Sequence, residues 1–120
     1  MTRILLALAL ASAAWAQEVT SQRLINADKE TQNWLQYSRT YNAWRYSPLD
    51  QVNRSNIKRL VPVWSFQTGD IQGGLQATPL VADGVMYIST SWNRVYALDA
   101  ATGKKLWHYI YEKPKQVAAQ

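Results

Sequence analysis

An all-β fold, one four-stranded antiparallel meander behind a polar N-terminal segment, is what the sequence predicts. Three observations carry that expectation. Apolar residues recur with a period of two from Val61 onward, the pattern of half-buried strands. Asp83-Gly84 stands between two apolar runs, the strongest short-range sign of a hairpin. The stretch ALDAATGKKLW, from Ala97 to Trp107, sets a glycine-containing turn between two further alternating runs.

The elements follow in chain order. Residues 1–16 read as a signal peptide: Arg3, an apolar run from Ile4 to Ala14, then the small-x-small cleavage site Ala14-Trp15-Ala16. The run is too short to span a bilayer, and no transmembrane segment is expected in the mature chain. Cleavage removes Arg3 and lowers the formal charge from +5 to +4. Export would permit disulfides, yet the chain has no cysteine, so nothing is stapled and no lipid can be attached at the cleavage site.

Residues 17–60 form a polar segment with embedded aromatics and too few aliphatic side chains for a core of its own. Asn26 or Asp28 is expected to cap a short helix running toward Leu35. Ser47-Pro48-Leu49-Asp50 marks a turn, and Asn53 caps one or two helical turns through Leu60.

Residues 61–120 hold the sheet. VPVWSFQTG reads as a first strand ending at Gly69. TPLVADGVMYIST is a hairpin about Asp83-Gly84, NRVYALDA a further strand, and KKLWHYIYE the last. In that last strand Leu106, His108 and Ile110 point one way, and Trp107, Tyr109 and Tyr111 the other. Residues 79–111 are therefore four short antiparallel strands, the repeating unit of a β-propeller.

Composition excludes several function classes. Thirteen Lys+Arg against eight Asp+Glu are scattered along the chain, without the clustering of a nucleic-acid binder. No nucleophile motif, phosphate loop or zinc spacing is present. Asp50, Asp70, Asp83 and Asp99 sit in turns, where Asp bonds its own backbone, and no metal site is expected from them. His108, the only histidine, reads as a strand-surface or inter-blade residue. Six Trp and seven Tyr against one Phe is an unusual aromatic usage. Such rings bury a large area while keeping one polar atom bonded. Trp34, Trp44 and Trp92 are expected at a propeller rim, as core or as stacking platforms.

A lone four-stranded sheet has two faces and must stack on a neighbour. A tryptophan at the start of an outer strand can lie flat over the peptide planes of an adjacent turn and donate its indole N–H to a backbone carbonyl. The turn must then be tight. Gly103 supplies positive φ and no side chain, and Asp99 and Thr102 can tie it by side-chain-to-backbone bonds. Trp107 is thus read as a dock and the turn before it as a socket. Trp64 stands at the equivalent strand position in NIKRLVPVW and should play a related part. Residues 61–67 are not expected to pair with the Pro79 strand in a continuous sheet.

These residues carry a resemblance. Ala97-x-Asp99-x-x-Thr102-Gly103-Lys104-x-x-Trp107 resembles the tryptophan-docking motif of the quinoprotein, pyrroloquinoline-quinone (PQQ)-dependent alcohol dehydrogenases. RYSPLDQVNRSNIKRLVPVWSFQTGD and GGLQATPLVADGVMYISTSWNRVYALDAATGKKLW extend the likeness over most of Trp34 to Trp107. The resemblance implies an eight-bladed β-propeller, of which this chain holds one blade and the N-terminal segment. It implies a periplasmic enzyme that oxidises an alcohol or a sugar with PQQ and Ca²⁺ or another cation, and passes electrons to a cytochrome c or a quinone.

In that family a glutamate just before ATPLV contacts the PQQ carboxylates. Gln76 matches it, keeping donor and acceptor atoms but not the charge. It can equally be a polar residue at a strand entrance. The family's catalytic aspartate, cation ligands, adjacent-cysteine disulfide and tryptophan floor are not matched here, so the chain is expected to be an N-terminal fragment without activity. The other reading is a non-catalytic propeller of the outer-membrane assembly type, which shares the docking turn but needs a lipid-bearing cysteine.

Overall fold

The computed structural model describes residues 18–69 and 74–112. The expected signal peptide, Asp70 and the stretch 113–120 lie outside the described residues.

The sheet is a single antiparallel meander in sequence order: β1 (Leu80–Ala82), β2 (Val85–Thr90), β3 (Arg94–Asp99) and β4 (Lys105–Ile110). This is the arrangement of one propeller blade. The β1–β2 turn is made by Asp83 (φ 51°) and Gly84 (φ 81°), the left-handed pair that matches the twist of a hairpin. The β2–β3 turn is made by Trp92 (φ 64°) and Asn93 (φ 55°). Asn tolerates that region; for a bulky indole it costs on the order of 1–2 kcal/mol.

Side chains alternate as the period-two pattern requires. Tyr87, Ala97 and Trp107 lie in one cross-strand row, and the Tyr87 and Trp107 rings meet at 6.0 Å over the fully buried Ala97. Ile88, Tyr96 and His108 form the neighbouring row, with His108 stacked on Tyr96 at 5.9 Å. His108 is therefore a strand-surface residue. The register slips by one residue between Ala97 and Leu98, so Leu106 has no direct partner. Leu98 is 2 % exposed, and a leucine so buried contributes about 1.5–3 kcal/mol.

Three expectations need correction. The first helix is α1 (Ser21–Ile25), earlier than expected. Thr20 caps it, its hydroxyl accepting from Arg23 N–H at 3.3 Å, and Asn26 ends it by donating its side-chain amide to the Gln22 carbonyl. Only a 3₁₀ turn, Ala27–Lys29, follows. Asn53 does organise a local turn, its side chain accepting from Ser55 N–H, but the regular helical piece is the short Ile57–Arg59. Residues 61–68 are not a sheet strand, and they stand outside the ladder. Their alternation is real: Trp64, Phe66 and Thr68 are half-buried while Val63, Ser65 and Gln67 are exposed. They are held by side chains, not by backbone pairing. Phe66 meets the Tyr96 ring edge-on at 5.3 Å, and Tyr96 O–H donates to the Thr68 carbonyl at 3.2 Å.

The N-terminal segment packs on the edge of β1. Ala27, Leu35 and Ala82 form a small buried cluster with Leu24 and Tyr87 against it. Trp34 and Val81 exchange two backbone hydrogen bonds, of 2.8 and 2.9 Å. That one bridge covers the β1 edge, which would otherwise offer unpaired backbone groups.

Candidate functional site

The meander has two ends, and they differ. One end carries the β1–β2 and β3–β4 turns, and both are engaged by other parts of the chain.

The β3–β4 turn is the socket. Asp99 Oδ1 accepts from Ala101 N–H, Thr102 N–H and the Thr102 hydroxyl, at 3.1, 2.8 and 2.8 Å. Gly103 N–H donates to the Asp99 carbonyl at 2.8 Å. These bonds favour the ionised carboxylate and hold Asp99 below the usual Asp range, the Thr102 hydroxyl contributing most. Trp64 fills the socket. Its indole N–H donates to the Ala100 carbonyl at 3.1 Å, and its ring lies over Gly103 so closely that an added Cβ would come within 2.5 Å of it. Gly103 also has φ 71°. Two independent constraints thus select glycine there.

Trp64, Asp99, Thr102 and Gly103 are therefore brought together, and Trp107 is not with them. It is 47 % exposed, lying beside Tyr87 at the start of β4. The socket of this blade takes the tryptophan that precedes the blade; the tryptophan of its own motif faces outward.

The β1–β2 turn is clasped by residues that sequence reasoning did not single out. Arg23 forks two carboxylates: Nε and Nη2 donate to Glu30 at 3.0 and 2.8 Å, and Nη1 and Nη2 to Asp83 at 2.9 and 2.8 Å. Asn33, 3 % exposed, donates to Glu30 at 2.7 Å and to Asp83 at 3.3 Å, and accepts from Asp83 N–H at 3.0 Å. Arg23 holds the Glu30 carboxyl below its usual range, and Asn33 adds to this; Glu30, then Asp83, hold the guanidinium protonated. Arg23 and Asp83 are sixty positions apart, so no local signal reveals the pair.

The other end of the sheet carries Gln76. It lies in the lead-in to β1, exposed, and its amide has no hydrogen-bond partner among the described residues. β2 continues past Tyr87, the partner of Leu80, to Thr90. Its end and the Ser91–Asn93 turn therefore lie at the same end of the sheet as Gln76. Among the described residues no three His, Cys, Asp or Glu side chains converge on a metal-sized site. A cleft of about 320 Å³ in the N-terminal segment is lined by Tyr41, the exposed Trp44, Tyr46 and the buried Arg39; neither Gln76 nor the socket residues line it. The exposed end around Gln76 is thus where an unengaged side-chain amide and the exposed Trp92 of the β2–β3 turn coincide.

Comparison with known proteins is consistent along the chain. The family described as PQQ glucose/ethanol/alcohol dehydrogenase, beta-propeller domain, matches residues 34–120. The dehydrogenase subunit of the quinone-linked alcohol dehydrogenase of Acetobacter aceti is 48 % identical over 92 % of this chain and 15 % of that protein. The solved quinohemoprotein alcohol dehydrogenase ADHIIG from Pseudomonas putida HK5 superposes with a TM-score of 0.72 at 45 % identity, over 78 % of this chain and 14 % of that one. A europium-containing methanol dehydrogenase superposes with a TM-score of 0.68 at 36 % identity, over 82 % of this chain and 17 % of that one. The chain spans about 15 % of the length of the curated relative it matches.

Proposed function

Because the chain belongs to the PQQ family of glucose/ethanol/alcohol dehydrogenase β-propeller domains, we propose that it forms the N-terminal part of a periplasmic dehydrogenase. That enzyme oxidises an alcohol and passes the electrons to a cytochrome c or a quinone. The match over residues 34–120 carries this reading, and it includes the turn that seats Trp64. The named relatives act on alcohols, which favours an alcohol over a sugar as substrate.

Gln76 fits a role toward PQQ. Its exposed, unengaged amide can donate to a carboxylate of the cofactor without adding negative charge beside an anion. Bound PQQ supplies an acceptor for two electrons and two protons, so that a primary alcohol leaves as the aldehyde. The Ca²⁺ or other cation of our reading is assigned outside the described residues. The base that takes the hydroxyl proton is likewise assigned outside these residues. What this blade contributes is a rigid edge: clasp and socket fix one end of the meander, so the lead-in at the other end projects from a fixed frame.

The test is reconstitution. The complete enzyme, freed of cofactor and cation, should reduce an artificial dye with ethanol only after PQQ and Ca²⁺ are both restored. Full activity without PQQ, or none with saturating PQQ and a series of cations, would overturn the reading.

A further inference from the structure

Trp92 has a position that the fold does not account for. It occupies a left-handed turn position at φ 64°, where Asn or Gly serves without strain. Its side chain is 58 % exposed, and none of the ring–ring contacts among the described residues involves it. Such a residue gives the blade no ring–ring contact and makes the turn less easily than Asn or Gly would. Strain of this kind concentrates at functional sites. Register puts Trp92 at the end of the sheet that carries Gln76, opposite the clasp and the socket.

We propose that Trp92 is a specificity residue: its indole forms part of the wall of the substrate entrance and contacts the organic substituent of the alcohol. This rests on the reading of Gln76's end as the cofactor side. A flat, exposed indole favours alcohols with an aromatic or extended apolar substituent, which can lie against the ring, over ethanol, which cannot. The contact is with the substituent and not with the reacting carbon, so it acts on KM more than on kcat.

The experiment uses the complete PQQ-loaded enzyme with benzyl alcohol and ethanol as the two probes. Trp92→Ala is expected to lower the ratio of kcat/KM for benzyl alcohol over ethanol about fivefold to tenfold, mostly through KM. Trp92→Phe, which keeps a flat ring, should retain most of that ratio. Trp92→Asn, which suits the turn, should leave the melting temperature unchanged or higher while the ratio falls; a merely structural tryptophan would lower it. An unchanged ratio in Trp92→Ala overturns the proposal. So does an effect confined to cytochrome c reduction with alcohol selectivity intact, which would put the ring on the acceptor's path. Failure of the underlying reading is recognised separately: the purified wild-type enzyme would then hold no extractable PQQ before any alcohol is added.

Discussion

Gly103 shows how one residue can answer to two constraints at once. Its φ of 71° disfavours any side chain, and the Trp64 ring occupies the space a Cβ would need. Gly103→Ala should therefore cost about 1–3 kcal/mol for the backbone alone, with loss of the tryptophan seat in addition. Trp64→Ala should cost about 2–4 kcal/mol, somewhat under a fully buried tryptophan because the ring is only half-buried. The two changes remove the same contact, so the double variant should lose clearly less than the sum. Chemical denaturation of the four proteins checks this, and strict additivity would show that the ring and the turn are energetically independent. The motif spacing from Ala97 to Trp107 made the turn legible. It did not say which tryptophan would sit in it, because that depends on how residues 61–68 return past the sheet.

Among the elements, the least expected is the N-terminal segment acting as a clasp. Arg23 joins Glu30 to Asp83, and Asn33 bonds to both, so the strap and the hairpin turn hold together as one unit. Glu30 and Asp99 both have their carboxyls lowered in the folded chain. A carboxyl lowered by folding stabilises above its unfolded value and loses that stabilisation as pH falls through its folded one. The melting temperature should therefore be flat near neutral pH and fall as pH drops below about 4. Arg23→Gln should flatten the Glu30 part of that fall, and Asp99→Asn the other part. Acid melts of the three proteins check this; identical acid slopes would exclude these carboxyls as the source. Sequence periodicity found β1 to β4 because each strand's partner is its neighbour in sequence. The clasp and the Trp34–Val81 bridge escaped it because their partners lie about fifty to sixty positions apart.

For the whole molecule, the faces of β4 and of residues 57–63 are exposed, and on the proposed reading they are where neighbouring blades would pack. In the complete enzyme Trp107→Ala should cost about 3–5 kcal/mol, as for a large buried aromatic. In the 120-residue chain alone, with the ring 47 % exposed, it should cost far less. Paired thermal melts compare the two, and equal losses would show that Trp107 gains no partner in the larger protein. Gln76→Ala should weaken PQQ retention in the complete enzyme, while Gln76→Glu should be tolerated; cofactor titration reads both, and unchanged affinity in Gln76→Ala would remove Gln76 from the site. The isolated chain, given PQQ and Ca²⁺, should reduce no dye. One hydrogen-bonding contact of about 0.5–1.5 kcal/mol cannot offset the freedom lost on binding.

The four strands, the Asp83-Gly84 hairpin, the tied turn at Asp99–Gly103 and the family were all legible in the residues, because each is written in local spacing: a period of two, a turn dipeptide, a fixed motif. Packing in three dimensions put Trp64, and not Trp107, in the socket, held residues 61–68 by their side chains, and brought Arg23 and Asn33 onto Asp83. Alternation along a chain records which side chains are buried and leaves open what buries them. The partner is chosen by long-range packing, where one tryptophan, one arginine or one asparagine is selected by distance in space and by no distance in sequence.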